Sequence, residues 1–227
     1  MHLVFCLLAS LCHFLPPPGW DCAAPKSASE PLAIGFIGKG KREIPPSINL
    51  AVEPTDLSLK DYIKAVKALH ESDLHVAWKD LGEFTFKAGK GRLGEVCTSC
   101  PFGEMKVLQG IFLKDGCAYI LTGAALKEEF TEHRAAILAS LRTLTLSPDL
   151  FSAIADSQSR ETLKKRFDQF ASLESPDLRQ KEWESLQKYL PKEFADLGSY
   201  WHYLALREGY QRIFWTEITS SLEYAKE

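Results

Sequence analysis

Residues Gly35–Arg42, with the sequence GFIGKGKR, have the glycine and lysine spacing of a loop that binds phosphate. In such a loop a serine or threonine follows the lysine and opens a helix. Here Arg42 takes that position, and the Pro45–Pro46 pair prevents a helix from following. The stretch therefore predicts a glycine turn between two strands instead of nucleotide chemistry. We predict that the cations of this turn contact a protein partner or a weakly held anion; they are Lys39, Lys41 and Arg42.

The sequence CTSC places Cys97 and Cys100 in the spacing of a redox or metal-binding pair. A redox pair of this type needs a helix N-terminus to lower a thiol pKa, whereas this one ends a predicted strand. Zinc would need two further soft ligands, and Cys22 and Cys117 stand at arbitrary spacing. We therefore predict structural thiols, or a disulfide between Cys97 and Cys100 if the protein is exported, and we expect no cofactor.

The remaining candidates for catalysis or metal binding are isolated. The six histidines are scattered singly, and none has the partner four residues away that a metalloprotease helix requires. Glu128, Glu129 and Glu132 next to His133 predict the solvated first turn of a helix, where carboxylates oppose the positive end of the dipole. No catalytic residue is assigned, and an enzyme is the less favoured class.

Aromatic residues are dense from Tyr200 to the end of the chain. Such residues either pack a small core or anchor a protein interface. The apolar positions cover several sides of the predicted helix, which favours the core first and the interface second. The predicted partner contacts in this segment are Trp201, Tyr210 and Trp215.

The apolar periodicity predicts strands followed by helices. LAIGFIG and SINLAVE are bounded by glycine and proline, as strands are. DLSLKDYIKAVKALHES has helical spacing, with Ser58 as N-cap. Four further strands form an antiparallel meander whose last turn, Asp115-Gly116, suits a tight hairpin. A helix over KEEFTEHRAAILASLRTL follows, and beyond it Ser147 and Ser175 each precede a proline and are predicted N-caps of further helices.

The leader and the bulk composition leave the compartment open. The apolar run over residues 3–11 is too short to span a bilayer but fits an export signal. No Lys or Arg precedes it and no clean cleavage site follows, so a misassigned start or a buried first strand remain alternatives. We favour export to the periplasm or envelope over a cytoplasmic location. The net charge of −3 gives no footprint for nucleic acid, and no transmembrane helix is expected.

The segment over residues 13–146 resembles the PsbP/Mog/DcrB-like superfamily. The resemblance lies in FLPPPGW, in a hairpin strand and in the helix that follows it. The matching positions of the hairpin and the helix are Gly116, Tyr119–Thr122, Phe130, Arg134, Leu138 and Ser140–Arg142. It implies an α+β fold, in which helices pack on the faces of an antiparallel sheet. It also implies a binding or assembly role, because the superfamily includes a photosystem subunit, a Ran-binding import factor and an envelope lipoprotein without a shared catalytic mechanism.

These observations predict an apolar leader over residues 1–12, a PsbP/Mog-like domain over 13–146 and a helical module over 147–227. The predicted function is that of a non-catalytic protein-binding or assembly factor with a protein partner, and the predicted origin is bacterial. The alternatives are a hydrolase or small-ligand-binding protein with its site between the two domains, and a redox or metal protein that uses Cys97 and Cys100.

Overall fold

The structure, a computed structural model, describes residues 11–23 and 32–224, without the side chains of 32–33 and 214–224. The strands are β1 Leu11–His13, β2 Asp21–Ala23, β3 Leu32–Ile37, β4 Ser47–Pro54, β5 Ala77–Phe86, β6 Gly89–Cys100, β7 Gly103–Lys114, β8 Cys117–Leu126 and β9 Thr145–Ser147. The helices are α1 Leu59–Glu71, α2 Lys127–Arg142, α3 Ser157–Ala171, α4 Pro176–Glu193 and α5 Gly198–Tyr224. Short 3-10 turns lie at Phe151–Ala153 and Ala195–Leu197.

Seven strands form one antiparallel sheet in the order β2-β3-β4-β8-β7-β6-β5. Strands β5 to β8 are the predicted meander. Asp115 and Gly116 both have positive φ, 52° and 74°, as a hairpin turn of the primed type requires. The meander and its turn are therefore confirmed, and the sheet order leaves β5 at one edge.

Helix α1 packs on one face of the sheet. The Ser58 hydroxyl accepts the Asp61 backbone N–H at 3.2 Å, which confirms the predicted N-cap. On the buried stripe of the helix, Tyr62 packs with Ile111 and Ala118 of the sheet. Leu59, Ile63 and Val66 complete this cluster, as the helical spacing predicts.

Helix α2 packs on the opposite face. Two glycines of the sheet face its apolar side chains: a Cβ on Gly123 would lie 2.2 Å from Ile137, and one on Gly110 would lie 2.6 Å from Leu141. Gly110 is next to Ile111, and successive residues of a strand face opposite sides. The sheet therefore lies between α1 and α2, and the predicted α+β class is confirmed.

The described residues divide into two compact units. The first consists of residues 16–145, and the second consists of residues 11–15 together with residues 146 onward. Residues 13–15 thus belong with the second unit, whereas they were predicted to be part of the first domain. Here β1 pairs with β9, and Phe14 packs at 5.2 Å from the Tyr200 ring. The core of this unit is contributed by α3, α4 and α5 and includes Leu163, Phe167, Phe170, Leu186, Leu190, Phe194, Trp201 and Ala205.

One of the two predicted caps of this unit is wrong. Ser147 ends β9 and is buried, and the chain then makes the 3-10 turn at Phe151 before α3 begins. The N-cap of α3 is Asp156, whose carboxylate accepts the Ser159 N–H at 2.6 Å. Ser175 does cap α4, with Pro176 in the first turn as predicted.

Candidate functional site

The glycine-lysine stretch forms a loop fixed to α2. Gly38 N–H donates to the Pro46 carbonyl at 2.8 Å and closes the loop. Lys41 connects the loop to α2. Its backbone N–H donates to Glu129 at 3.0 Å, and its ammonium donates to both carboxylate oxygens of Glu132 at 2.9 Å. Strand β4 follows the loop directly, so the helix that a phosphate loop needs does not form here.

The predicted solvated first turn of α2 is wrong for Glu129. This residue is only 4% exposed, because the loop lies over it. A Cβ on Gly40 would come within 3.2 Å of the Glu129 Oε2 atom and within 3.1 Å of Pro45. The loop can approach the carboxylate this closely because residue 40 is a glycine, and sequence spacing alone does not show that contact.

The three predicted cations of the loop differ in what they can do. Lys39 and Arg42 are exposed, whereas the Lys41 ammonium is held by Glu132. Hydrogen bonding and charge attraction from Lys41 lower the pKa of Glu132. A lowered carboxyl pKa contributes stability that is present at neutral pH and is lost as the pH falls through the lowered value. Lys41 therefore anchors the loop, and Lys39 and Arg42 are presented to solvent.

We expect Glu129→Ala to lower the free energy of unfolding by about 1–3 kcal/mol, because the part-buried Lys41 N–H loses its acceptor. Glu132→Ala removes an exposed ion pair from the same helix and is the matched control, with a much smaller expected loss. Urea unfolding followed by circular dichroism measures both. Equal losses for the two variants would contradict the anchoring role of Glu129.

Cys97 and Cys100 are both free thiols in the structure. They lie three residues apart on the continuous strand β6, and three residues of extended chain span about 10 Å. A disulfide needs Cα atoms no more than about 7 Å apart, and an odd spacing sends the two side chains to opposite faces. Of the two predicted alternatives, the disulfide is therefore not formed in this structure, where both thiols are free. Among the described residues, no group of three or more His, Cys, Asp and Glu side chains gathers to hold a metal ion.

We expect thiol labelling of the folded protein under non-reducing conditions to separate the cysteines by burial. Cys97 and Cys100 are partly accessible and should be labelled. Cys12 and Cys117 are buried and should react only after unfolding; burial also raises the pKa of Cys12, which suppresses its thiolate. Peptide mass spectrometry after iodoacetamide treatment measures each site. A linked Cys97–Cys100 peptide would contradict the strand geometry.

The predicted contacts of the C-terminal segment fall in different environments. Trp201 is 0% exposed, and its indole N–H donates to the Leu150 carbonyl at 3.1 Å. A partner cannot reach it, so its predicted contact role is wrong and its core role holds. Tyr210 is 61% exposed and meets the Trp183 ring edge-on at 5.1 Å. The side chain of Trp215 lies outside the described residues.

The structure also forms a groove beside α1 that was not predicted from the sequence. It has a volume of about 590 Å³ and lies where α1 passes over β5 and β6. We call it the α1 groove; its lining residues are Leu59, Lys60, Ile63, Lys64, Lys67, Trp78, Asp80 and Arg92. Four of these side chains are cationic and one is anionic.

The lysines of the α1 groove share one side of the helix because they are four and three residues apart. Across from them, Trp78 lies over Gly94, where a Cβ would be 2.9 Å from the indole nitrogen. Glycine at this position lets the indole lie close to the sheet. Arg92 and Asp80 form an ion pair, in which the Arg92 hydrogen bond lowers the pKa of Asp80.

Part of this groove is visible in the sequence. Lys60, Lys64 and Lys67 adjoin the apolar stripe of a predicted helix, and their spacing of four and three residues indicates one cationic side. Trp78 and Arg92 come from different strands, and β5 has a bulge between Asp80 and Gly82 that shifts their register. Without that register, the sequence does not bring the indole and the lysines together.

The described elements define an α+β protein with an antiparallel sheet between two helices and with further C-terminal helices. No described helix is both long and apolar enough to cross a membrane. No family model matches the sequence, and no curated protein matches it.

Three solved structures illustrate what the chain is similar to. LpqN of Mycobacterium tuberculosis, described as involved in cell envelope biogenesis, is 16% identical with a TM-score of 0.45, over 60% of this chain and 83% of that one. PsbP of Synechocystis sp. PCC 6803 is 11% identical with a TM-score of 0.44, over 64% and 97%. The Ran-binding protein Mog1p of Saccharomyces cerevisiae is 15% identical with a TM-score of 0.39, over 59% and 90%. PsbP and Mog proteins are those that the sequence resembles, and at these TM-scores the similarity carries no functional argument.

Proposed function

We propose that this chain is a non-catalytic protein-binding or assembly factor and that its first unit holds a protein partner at the α1 groove. The observation that carries the proposal is the combination of an apolar floor with a cationic wall. Leu59, Ile63 and Trp78 supply the floor, and the lysines of α1 supply the wall. Tryptophan and arginine are the side chains most enriched among residues that dominate binding energy at protein interfaces.

Contacts around the α1 groove hold its helix and its strands in place, whereas the lysine side chains can reorient. Tyr62 fixes the helix from below: its hydroxyl donates to the Glu53 carboxylate on β4. The Arg92–Asp80 pair fixes the strand side. By contrast, the ammonium groups of Lys64 and Lys67 end long exposed side chains, which can reorient toward a partner at small energetic cost.

Affinity capture from the native cells tests the function. The full-length chain is compared with a variant in which Lys60, Lys64 and Lys67 are glutamines, a change that removes three charges and keeps good helix formers. The matched control changes three exposed lysines of α4 in the same way; they are Lys181, Lys188 and Lys192. We expect one partner to be retained by the wild-type chain and the control and to be lost from the groove variant. Equal capture by all three chains, or no specific partner of the wild-type chain, would overturn the proposal.

Lys39, Arg42 and Tyr210 are proposed as secondary partner contacts. The loop that carries Lys39 and Arg42 is fixed to α2, on the face of the sheet opposite α1. A partner that touched both surfaces would therefore have to extend around the sheet. Capture with Lys39→Gln and Arg42→Gln combined measures the loop, and Tyr210→Ala measures the C-terminal contact; unchanged capture by a variant removes its residues from the interface.

We also propose that the protein is bacterial and exported, on the basis of the apolar run over residues 3–11 and the superfamily resemblance. Cell fractionation with N-terminal sequencing of the recovered protein tests the compartment. Recovery of the chain from the cytoplasm with its first residues intact would contradict export.

A further inference from the structure

We infer that the occupant of the α1 groove is an extended acidic segment of the partner, with carboxylates at alternate positions and apolar residues between them. The inference rests on the proposed function and names the chemistry of the partner. The lining residues include four cations and one carboxylate, whereas the whole chain has a net charge of −3. The groove is thus a local positive site on a negative protein, and complementary charge selects an acidic partner.

The lysines of the α1 groove can exchange their present partners. Lys64 lies 3.2 Å from Asp61 and Lys67 lies 3.5 Å from Glu71, and at least half of each of these side chains is exposed. Exposed pairs within one helix are weak. No ion pair of Lys60 is found among the described residues. An incoming carboxylate can therefore recruit all three ammonium groups without breaking a buried contact.

The spacing of the lysines fits an extended segment. At 1.5 Å per residue, Lys60 and Lys64 are separated by about 6 Å along the helix and Lys64 and Lys67 by about 4.5 Å. Alternate residues of an extended chain point to the same side at intervals of about 6.6 Å. Acidic side chains at alternate positions can thus meet successive lysines on α1, and the residues between them point to the opposite side, toward Trp78 on β5.

The size of the α1 groove and the shape of its edge favour side-chain recognition. A volume of about 590 Å³ lies in the range of sites that enclose a small ligand, so it accepts a few residues and not a folded domain. β5 is the edge strand, but its bulge between Asp80 and Gly82 is a feature that discourages addition of another strand. We therefore assign recognition to the lysines, Arg92 and Trp78 instead of to the backbone of β5.

The test uses the full-length chain and a fluorescein-labelled peptide of alternating glutamate and leucine, six residues long, in fluorescence anisotropy titrations. We expect saturable binding that weakens with added salt and falls about tenfold in the Lys60, Lys64 and Lys67 glutamine variant. The glutamine variant of α4 should bind as the wild-type chain does. Equal binding by the groove variant would overturn the inference.

Two further probes separate a peptide site from a general anion site. The first probe is a peptide in which serine replaces each leucine. The second probe is inorganic tripolyphosphate, which is used as a competitor. Weak binding of the serine peptide and poor competition by tripolyphosphate support the inference, because the apolar floor then contributes. Binding of the serine peptide as tight as that of the leucine peptide would overturn it. So would full competition by tripolyphosphate at concentrations equal to those of the peptide.

The titration tests the acidic occupant and the capture experiment tests the proposed function, so each can be overturned without the other. A partner lost from the groove variant in cells, together with no binding of the acidic peptide, leaves the proposed function in place and overturns the acidic occupant. Peptide binding together with unchanged cellular capture by the groove variant overturns the proposed function at this site.

Discussion

Gly123→Ala is expected to destabilise the first unit by about 1–3 kcal/mol, a typical cost of overpacking a filled core. A Cβ at this position on β8 would lie 2.2 Å from one carbon of Ile137 and within 3.2 Å of two others. Ile137 is fully buried and α2 is also held by Leu141, so the helix cannot move away without losing that contact. The strand would have to shift or the side chain leave its rotamer.

A double-mutant cycle identifies the clash as the cause. Ile137→Ala alone should cost about 2–5 kcal/mol, because it leaves a cavity between α2 and the sheet. Combined with Gly123→Ala, it should cost less than the sum of the two single changes, by about 0.5–3 kcal/mol, since the new methyl group enters the space that the isoleucine leaves.

Urea unfolding measures the cycle, with amide hydrogen exchange in β7 and β8 reporting on the first unit. Gly35→Ala is the matched control: it is buried in the same sheet, yet its Cβ would meet no atom closer than 3.5 Å. We expect this change to be close to neutral. Additive effects of Gly123→Ala and Ile137→Ala would show that the two residues do not compete for one volume.

Local signals predicted the parts of the fold that depend on local physics. Ser58 caps α1 through an atom three residues away, and Asp115-Gly116 closes a two-residue turn, so both features are complete within a short window. The requirement for glycine at position 123 is different, because it arises from a helix that follows in sequence but returns across the sheet. A single sequence shows the glycine without showing the side chain that excludes a Cβ.

The candidate site also contains features that follow from local spacing and features that depend on residues distant in sequence. The lysines of the α1 groove follow from helical spacing, whereas Trp78 enters it through strand register and a bulge. Glu129 was predicted to be solvated because acidic residues in a first helical turn usually are; a distant loop buries it. The sequence alone does not distinguish Trp201 from Tyr210, since both are aromatic residues of one predicted helix. The packing of α5 on its neighbours buries Trp201 and leaves Tyr210 exposed.

Trp201→Ala is expected to cost about 3–5 kcal/mol and to destabilise the second unit. The indole is fully enclosed, its ring lies 5.3 Å from that of Phe194, and its N–H is the donor to the Leu150 carbonyl. Removing it therefore loses a large apolar contact and leaves a buried carbonyl without that donor. Trp201→Phe retains most of the contact and loses the hydrogen bond, so a smaller cost of about 1–3 kcal/mol is expected.

Tyr210→Ala, from the same helix, is the matched control for this prediction. Its side chain is mostly exposed and its one described ring contact is with Trp183, so a change near or below about 1 kcal/mol is expected. Urea unfolding gives the free energies, and hydrogen exchange in α3 and α4 locates them in the second unit. If Trp201→Ala left that exchange unchanged while abolishing partner capture, the indole would be a binding residue after all. Loss of protection in Trp201→Ala with wild-type protection in Tyr210→Ala would establish that the dense aromatics of this segment are first of all a core, whose exposed members alone remain available to a partner.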